Sequence, residues 1–467
     1  MSALHKKLLP IYTILLIVTV LCANNIFFWD TYQLCGKQAW ALYENGLLNW
    51  ILPQEIDSGH PPLFGFYHAT LWKIFGPNLI ASHLAMLPFL LGIVYYLFKI
   101  GIHFQDETKA KFLILLLLAD PVFMGQAVLA SPDIFLLFFM LLCLHAVLSD
   151  LKFYRIIGSL GLGLISMRGM MVLLAIILFD FLYEKKYKSK TKCLATINNY
   201  IPSLATVFFF LAQHYMHTGW IGHHPESSWA ASFEIVGKDG LIKNIVVLGW
   251  RVLDFGRVFL LLPLLYLGYR YTQKVPDKIA LQLFILFTLI SAIILPILVA
   301  HRGLVLHRYL LPIFVLMHIL FWYLLMKADL APKIKKYTLA IVLSGLFLGN
   351  LWVYPKKISQ GWDATLGHLP YYHLRKKMNT YIDQENIPFH RVGTAFPNIG
   401  DMRNFDPMDL KAGMEEYDFE KQDYIFYSNV YNDFSDQEID ILDSDNWSIE
   451  QEYHFYPICV ILYKKEQ

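Results

Sequence analysis

The sequence is dominated by long apolar runs that are separated by short polar segments. With an allowance of several residues at each end, eleven runs can be drawn, at residues 8–28, 79–100, 112–129, 133–149, 156–167, 169–183, 200–216, 245–268, 280–300, 309–326 and 337–354. A helix of about 20 mostly apolar residues crosses the hydrocarbon core of a bilayer. Only 16% of the residues are charged, against about 25% in a soluble domain. The sequence therefore predicts a polytopic α-helical membrane protein with about eleven transmembrane helices.

Two features of these runs affect the topology. We expect 8–28 to be a true first span, because no convincing signal-peptidase site precedes Asn24. The runs at 156–167 and 169–183 are short and are interrupted by Arg168-Gly169. They form either a tight helical hairpin or one broken helix, and the parity of the topology depends on that alternative.

The distribution of lysine and arginine predicts the orientation. If the N-terminus is cytoplasmic and all eleven runs cross, the cytoplasmic segments hold 18 basic residues and the outer segments before the tail hold 7. Cytoplasmic loops of membrane proteins carry an excess of Lys and Arg. This orientation places the polar residues of interest on one outer side: Asp30, Ser58–Leu63, Ser131–Asp133, Arg168, the 217–244 loop and His301–Arg308.

The composition changes to that of a soluble domain at about Pro355. Periodicity predicts helices over Tyr372–Gln384 and Gln437–Leu442, and strands over Arg391–Phe396, Asp423–Ser428, Trp447–Phe455 and Ile458–Lys464. We therefore divide the chain into a transmembrane domain at 1–354, with its first outer loop at 29–78, and a small extracytoplasmic α/β domain at 355–467.

Two acidic residues stand where an apolar run meets the outer side. Asp30 follows Phe27-Phe28-Trp29, and Asp133 belongs to Ser131-Pro132-Asp133. Ionisable groups at membrane depth are costly and are usually functional. Asp30 is either an ordinary interfacial carboxylate or a general base that orients an acceptor. Asp133 is either the first-turn acid of a helix or a second carboxylate of the same site.

Basic and aromatic residues lie at the same predicted level. His60 precedes two prolines that fix the backbone of the first outer loop, and Arg168 separates the two short runs. Further along, His301-Arg302 and His307-Arg308-Tyr309 share one short loop. Arginine forks suit phosphate, although arginines at the ends of spans also snorkel to the interface. We select as substrate-binding candidates His60, Arg168, Arg302, His307, Arg308 and Tyr309.

The sequence gives only weak evidence for a metal site or for a nucleic-acid partner. His214, His217, His223 and His224 do not match a zinc motif, and the five cysteines are scattered without Cys-x-x-Cys spacing. Arg251, Asp254 and Arg257 read as an internal ion network or as functional charges. A net charge of +2 is too small to imply nucleic acid as a partner.

An ordered set of segments resembles one family of membrane enzymes. The segments are Trp29-Asp30, HPPL followed by an aromatic-rich segment (His60–Phe75), SPDIFLLFFMLLCLHA (Ser131–Ala146), GLGLISMRGMMVLL (Gly161–Leu174) and HRYLLPIF (His307–Phe314). Together they resemble the GT-C class of glycosyltransferases, specifically family 39, which includes protein O-mannosyltransferases and bacterial aminoarabinose transferases. The resemblance covers essentially the whole chain, including the outer α/β tail.

The resemblance implies transfer of a sugar from a polyprenyl phosphate to an acceptor on the outer side: a protein, lipid A or another envelope glycan. By the same resemblance, Asp30 is the catalytic carboxylate and Asp133 the second acid. His60 and Arg308-Tyr309 correspond to contacts with the donor phosphate, and Arg168 stands where a lysine is common before the glycine. Thr31 stands where many relatives carry another acid, and His60 where lysine is common. The resemblance therefore assigns no acceptor, and no cofactor beyond room for a divalent cation.

The chemistry agrees with these residues. An inverting transfer needs a carboxylate that deprotonates or orients the acceptor hydroxyl, and cations that stabilise the leaving phosphate. We predict Asp30 as the base, Asp133 as an orienting group or weak metal ligand, and the arginines as phosphate clamps. The predicted location is the inner membrane of a bacterium, with the site facing the periplasm. The alternatives are a transporter or flippase, which would show midplane charges and repeats, and a non-catalytic assembly subunit.

Overall fold

The computed structural model describes residues 3–183, 196–224, 226–227, 230–273 and 277–466. The basic run from Lys185 to Lys192 and the thiol of Cys193 lie outside the described residues. The helices that form the bundle and its connections are α1 Ala3–Cys22, α2 Gln38–Asn45, α3 Leu63–Phe75, α4 Leu79–Leu84, α5 Leu87–Phe104, α6 Glu107–Ala119, α7 Pro121–Ala127, α8 Pro132–Ser149, α9 Lys152–Ile165, α10 Met167–Tyr183, α11 Ile201–Thr218, α12 Lys238–Leu253, α13 Val258–Thr272, α14 Lys278–Ala300, α15 Leu311–Lys327 and α16 Pro332–Gly349.

The predicted helical membrane protein is confirmed in its general form. Within the described ranges, five helical segments are long and apolar enough to cross a membrane: Leu4–Cys22, Leu79–Phe104, Pro132–Ser149, Lys278–Ala300 and His307–Lys327. The bent pair α6 and α7 would be a sixth. These segments indicate an integral membrane protein.

The predicted run at 112–129 is bent rather than straight, because α6 and α7 meet at Asp120 with a bend of 71°. The residue before a proline disfavours helical backbone, and Asp120 adopts an extended conformation before Pro121. Its carboxylate then accepts hydrogen bonds from the N–H groups of Val122 and Phe123. Asp120 thus ends one helix and caps the next. The first helix is displaced toward the N-terminus relative to the predicted run at 8–28, since α1 begins at Ala3 and ends at Cys22.

The two short runs form a hairpin. Ser166 is extended between α9 and α10, and its hydroxyl accepts a hydrogen bond from the N–H of Gly169. Far from this turn, the guanidinium of Arg155 near the start of α9 lies 3.4 Å from the carboxylate of Asp180 near the end of α10. The two helices therefore run antiparallel, which resolves the alternative between a hairpin and one broken helix. Arg168 lies one residue after the start of α10, beside the turn.

The predicted run at 245–268 is broken as well. Phe255 and Gly256 have positive φ angles of 50° and 77° between α12 and α13, and a Cβ on Gly256 would lie 2.0 Å from the carbonyl oxygen of Gly345. Asn244 in α12 donates to the carbonyl oxygens of Val299 and His301. Asp254, at the other end of α12, pairs with His307. Since Asn244 in the first half of α12 and Asp254 at its C-terminal cap both bond at or near the α14–α15 connection, α12 lies along one end of the bundle.

The C-terminal part is a small α/β unit. Its strands are β1 Val392–Thr394, β2 Glu415–Glu416, β3 Tyr424–Ser428, β4 Trp447–Phe455 and β5 Ile458–Lys465, in the order β2-β1-β3-β5-β4. β1 pairs in parallel with β2 and β3, whereas β5 runs antiparallel to β3 and β4. Helix α17 (Leu369–Gln384) packs on β4 and β5, and α18 (Asp436–Leu442) precedes β4. Each strand and helix predicted here is confirmed, and β2 is the addition.

This C-terminal unit sits on the end of the bundle that follows α1. Cys22, Phe28, Val128 and Leu129 belong to the same apolar core as the sheet. The ring of Phe28 stacks on His368 with 5.2 Å between centroids. We call this the sheet-bearing end. Lys7 and Glu107 form an ion pair of 2.7 Å at the opposite end.

Candidate active site

Asp30 is presented by a strained turn at the sheet-bearing end. Trp29 has a φ of 52°, a conformation that bulky residues rarely adopt and that often marks functional sites. The Thr31 hydroxyl donates to the carbonyl oxygen of Phe28 at 2.7 Å and accepts from its N–H at 2.7 Å. These bonds fix the turn. The side chain of Asp30 stays 27% exposed, so its carboxylate is accessible.

Arg308 joins Asp30 to the C-terminal part of the chain. Its Nη2 lies 2.6 Å from Oδ2 of Asp30, and its Nε lies 3.3 Å from Oδ2 of Asp363. The side chain of Arg308 is only 9% exposed. A buried guanidinium needs such partners, because an uncompensated buried charge is costly.

Asp133 and Arg168 form a second pair beside the first. Ser131 caps α8 by accepting from the Asp133 N–H at 3.2 Å, which places the acid in the first turn as expected. Oδ1 of Asp133 then lies 2.6 Å from Nη1 of Arg168. The same Nη1 donates to the carbonyl oxygen of Arg308 at 3.5 Å. The two ion pairs are therefore in direct contact.

The ring of Tyr309 links the two arginines. The guanidinium carbon of Arg168 lies 4.0 Å from the ring centroid, and that of Arg308 lies 4.9 Å away. Cations within about 6 Å of an aromatic face are attracted to it. The cluster Asp30, Asp133, Arg168, Arg308 and Asp363 holds three acidic groups and two cations around this ring.

Asp363 is the site residue that sequence reasoning missed. It is held by Gln126 of α7, whose Nε2 donates to the Asp363 carbonyl oxygen at 2.8 Å. Burial raises the pKa of the Asp363 carboxyl, Asp30 and Asp133 act in the same direction, and Arg308 opposes them. The only signal in the sequence was an acid soon after the last apolar run, in Gly361-Trp362-Asp363.

His60 faces the cluster from the first loop. Burial and the nearby Arg168 lower the pKa of His60 to about 4, although the carboxylates of Asp30, Asp57 and Asp133 oppose them. His60 is therefore neutral at pH 7 in this state. The loop before it is fixed by Asp57, which accepts from the Gly59 N–H at 2.8 Å and lies 2.8 Å from Nε2 of His214.

The structure does not bring Arg302 and His307 into the cluster. Arg302 is 68% exposed and pairs with Glu234 at 3.1 Å. His307 is buried, and its Nε2 lies 2.9 Å from Asp254. Asp254 also accepts from the Tyr354 hydroxyl at 2.6 Å, and Arg257 lies 3.5 Å from Asp120. Asp254 and Arg257, two residues of the predicted internal ion network, are thus paired inside the bundle.

The part of the chain that the structure describes contains no group of three or more His, Cys, Asp or Glu side chains placed to hold a metal ion. His214 instead bonds to Asp57. Among the described cysteines, Cys22, Cys35, Cys143 and Cys459 are free thiols.

Comparison with known proteins reveals a shared fold. No family model matches the sequence, and no curated protein matches it significantly. A solved structure of ArnT from Cupriavidus metallidurans bound to undecaprenyl phosphate is similar, with a TM-score of 0.56, 11% identity, and coverage of 99% of this chain and 98% of that chain. The apo state of the same ArnT gives a TM-score of 0.54 at 12% identity over the same shares. The chain has the ArnT fold. At this identity the likeness establishes architecture alone, and it agrees with the GT-C-like fold expected from the motifs.

Proposed function

We propose that this protein is an integral-membrane glycosyltransferase that moves a sugar from a polyprenyl phosphate to an acceptor, with inversion. The observation that carries the proposal is the contact chain Asp133–Arg168–Arg308–Asp30, placed at one end of a bundle with the ArnT fold. The ArnT structure with undecaprenyl phosphate supports a lipid-linked donor for this chain too. The motif resemblance to family 39 supports the same reaction.

Arg168 and Arg308 bind the leaving phosphate in this proposal. Both guanidiniums are presented on the Tyr309 ring, and both already neutralise carboxylates. Each has more N–H donors than its carboxylate partners occupy, so a phosphate can join without displacing them. Fixed cations stabilise the charge that develops on a leaving phosphate. His60 contributes a neutral imidazole that gains a proton as the phosphate arrives.

Asp30 is the base. It is the most exposed carboxylate of the cluster, since the side chain of Asp133 is 3% exposed and that of Asp363 is 14% exposed. The acceptor hydroxyl bonds to Asp30, loses its proton to it, and attacks the anomeric carbon opposite the phosphate. Asp133 and Asp363 orient the arginines, and no general acid is needed because phosphate leaves readily.

The topology is part of the proposal. The eleven predicted runs cross the inner membrane of a bacterium, with α13 as the eighth crossing. The transmembrane domain at 1–354 presents the site to the periplasm, and the α/β domain at 355–467 lies there. The acceptor is a protein, lipid A or another envelope glycan. Arg302 and His307 keep their predicted substrate contacts only if the loop between them rearranges.

The transporter alternative predicts mobile charges inside the bundle. Buried charged side chains in the part of the chain that the structure describes instead form ion pairs, such as Arg155 with Asp180 and Arg257 with Asp120. This pairing favours structural roles for them. The two ion pairs of the candidate site lie together at the sheet-bearing end, and Asp30 there is 27% exposed, which favours the enzyme.

A transfer assay tests the proposal. The full chain in liposomes is given a panel of radiolabelled polyprenyl-phosphate sugars together with a bacterial envelope extract. We expect the label to leave the lipid donor and to appear in a product that no longer carries the polyprenyl phosphate. Label that crosses the bilayer while still joined to its lipid would support a flippase and overturn the proposal.

A further inference from the structure

A buried ion pair joins the first loop to the end of α11. Nε2 of His214 lies 2.8 Å from Oδ2 of Asp57, and the two side chains are only 2% and 3% exposed. The two residues are 157 positions apart in the chain. Breaking a buried pair is costly, because the charge that remains loses its partner. The pair therefore fixes the first loop against a helix that contributes none of the clustered charges of the candidate site.

The hydrogen bonds of His214 define its protonation state. Nδ1 lies 3.1 Å from the carbonyl oxygen of Trp220, which can only accept, so Nδ1 carries a hydrogen. The Thr218 hydroxyl lies 3.2 Å from Nδ1 and donates instead to the carbonyl oxygen of His214 at 2.9 Å. Nε2 faces the carboxylate of Asp57, which also accepts from the N–H of Gly59. Because an ionised carboxylate is an acceptor only, Nε2 carries a hydrogen as well, and His214 is an imidazolium.

The same region supports the backbone immediately before His60. Gly59 has a φ of 71°, and a Cβ there would lie 2.3 Å from the carbonyl oxygen of Gly222 and 2.8 Å from the ring of Trp220. The loop thus rests on the segment that follows α11, and the carbonyl oxygen of Trp220 in this segment also bonds to the imidazolium. Since His60 is the next residue, these contacts set the position of its backbone.

Asp57 connects the imidazolium to His60 by charge as well as by position. Burial lowers the pKa of His60 to about 4, while nearby carboxylates, Asp57 among them, act in the opposite direction. The positive charge of His214 offsets the field of Asp57 at His60. A neutral side chain at position 214 would leave that field unopposed.

We propose that the His214–Asp57 ion pair is a positioning device for the candidate site, which holds His60 where the phosphate of the polyprenyl donor arrives. His214 acts through Asp57 and the loop, so it is a positioning residue and not a catalytic one. The inference rests on the proposed transferase function, because it assumes that His60 meets the donor phosphate. It adds α11 to the elements that control donor binding.

The first test is binding of undecaprenyl phosphate to the full chain in detergent. We expect His214→Gln to weaken binding about tenfold, since a hydrogen bond between charged groups contributes about that factor, and Asp57→Asn to do the same. His214→Lys, which keeps a cation beside Asp57, should retain more of the affinity than His214→Gln. His454→Gln is the matched control and should bind like the parent, because His454 pairs with Glu452 at 3.0 Å on the exposed surface of the C-terminal unit.

A double variant separates positioning from a merely structural role. In a His60→Gln background, His214→Gln should cause no further loss of affinity, because the two residues act through one chain of contacts. Nitrogen NMR of the parent chain with isotope-labelled histidine measures the charge of His214 directly. Both ring nitrogens should carry hydrogens at neutral pH, and the signals are identified by their loss in His214→Gln.

The outcomes distinguish this inference from the proposed function. An additive loss in the double variant, or a neutral ring at His214, would overturn the positioning role. Normal binding and normal sugar transfer in His214→Gln would overturn it too and leave the transferase standing. A parent chain that binds no undecaprenyl phosphate would refute the donor site, and the positioning role with it.

Discussion

Arg308 is the residue on which the candidate site depends, because it is the cation for two carboxylates from distant parts of the chain. Asp30 follows the first helix, and Asp363 follows the last helix of the bundle. Removing one partner of a buried ion pair costs about 3–5 kcal/mol, whereas exposed pairs contribute about 0–1 kcal/mol.

The first prediction compares two arginines that the sequence alone treated alike. We expect Arg308→Met to lower the free energy of unfolding by about 3–5 kcal/mol and to abolish donor binding. Arg302→Met should change stability by less than about 1 kcal/mol, since its pair with Glu234 is exposed. Thermal unfolding and retention of a labelled lipid donor measure both effects. Equal losses in the two variants would contradict the assigned geometry.

The second prediction concerns His60 and pH. Its pKa is about 4 in the folded chain, against an ordinary value of 6.5 for histidine. The unfolded state therefore binds the additional proton as pH falls through 6.5, and this contribution to stability is lost between pH 6.5 and about 4. His60→Gln should flatten the pH dependence of the unfolding temperature in that window. His217→Gln, at an exposed position, is the control, and an unchanged slope in His60→Gln would count against the depressed pKa.

The π-helix Tyr32–Lys37, which follows Asp30, packs against the C-terminal unit. Gly36 packs against this unit, since a Cβ there would lie 2.2 Å from the carbonyl oxygen of Asn404. That contact involves backbone, which cannot rotate away as a side chain would.

The third prediction follows from this contact. Gly36→Ala should destabilise the chain by about 1–3 kcal/mol, because overpacking forces backbone shifts, and it should reduce turnover by displacing Asp30. Gly249→Ala in α12 meets no atom within 4 Å and should stabilise by about 0.5–1 kcal/mol, as expected for a helix interior. Chemical unfolding of both variants provides the measurement. Equal stability of Gly36→Ala and the parent would exclude a tight contact between Gly36 and the backbone of Asn404.

Some of the helices and strands can be predicted from the sequence, and the bends between helices cannot. The C-terminal strands and helices were predictable because their signals are local periodicities. The bends at Asp120 and Gly256 lie inside uninterrupted apolar runs, where hydropathy alone predicts a straight helix. Charge type selected Asp30, Asp133, Arg168 and Arg308 as candidates, and the structure brings them together. Charge type could not show that Arg302 pairs with Glu234 instead, because the direction of a side chain is set by tertiary packing. Asp363 was missed for the same reason.

The two ends of the molecule differ. The charges of the candidate site lie at the sheet-bearing end, and the Lys7–Glu107 ion pair lies at the other end.

The fourth prediction tests the orientation that the basic residues imply. In a cysteine-free background, Asp445→Cys in the C-terminal unit should react with a membrane-impermeant maleimide from the periplasm. Asp329→Cys, in the connection between α15 and α16, should react only after lysis, because we expect it on the cytoplasmic side. The reverse pattern would invert the topology and contradict a periplasmic site.

The reaction itself is tested most directly by single-turnover transfer from the radiolabelled lipid donor that proves active, comparing Asp30→Asn with Asp329→Asn. Asp329 is exposed and remote from the site, so its variant should turn over like the parent. Asp30→Asn should fold and bind donor, because Arg308 keeps Asp363 as a partner, but should transfer at least about a hundredfold more slowly, the usual contribution of a general base. Transfer by Asp30→Asn at the parent rate would contradict the assignment of Asp30 as the base.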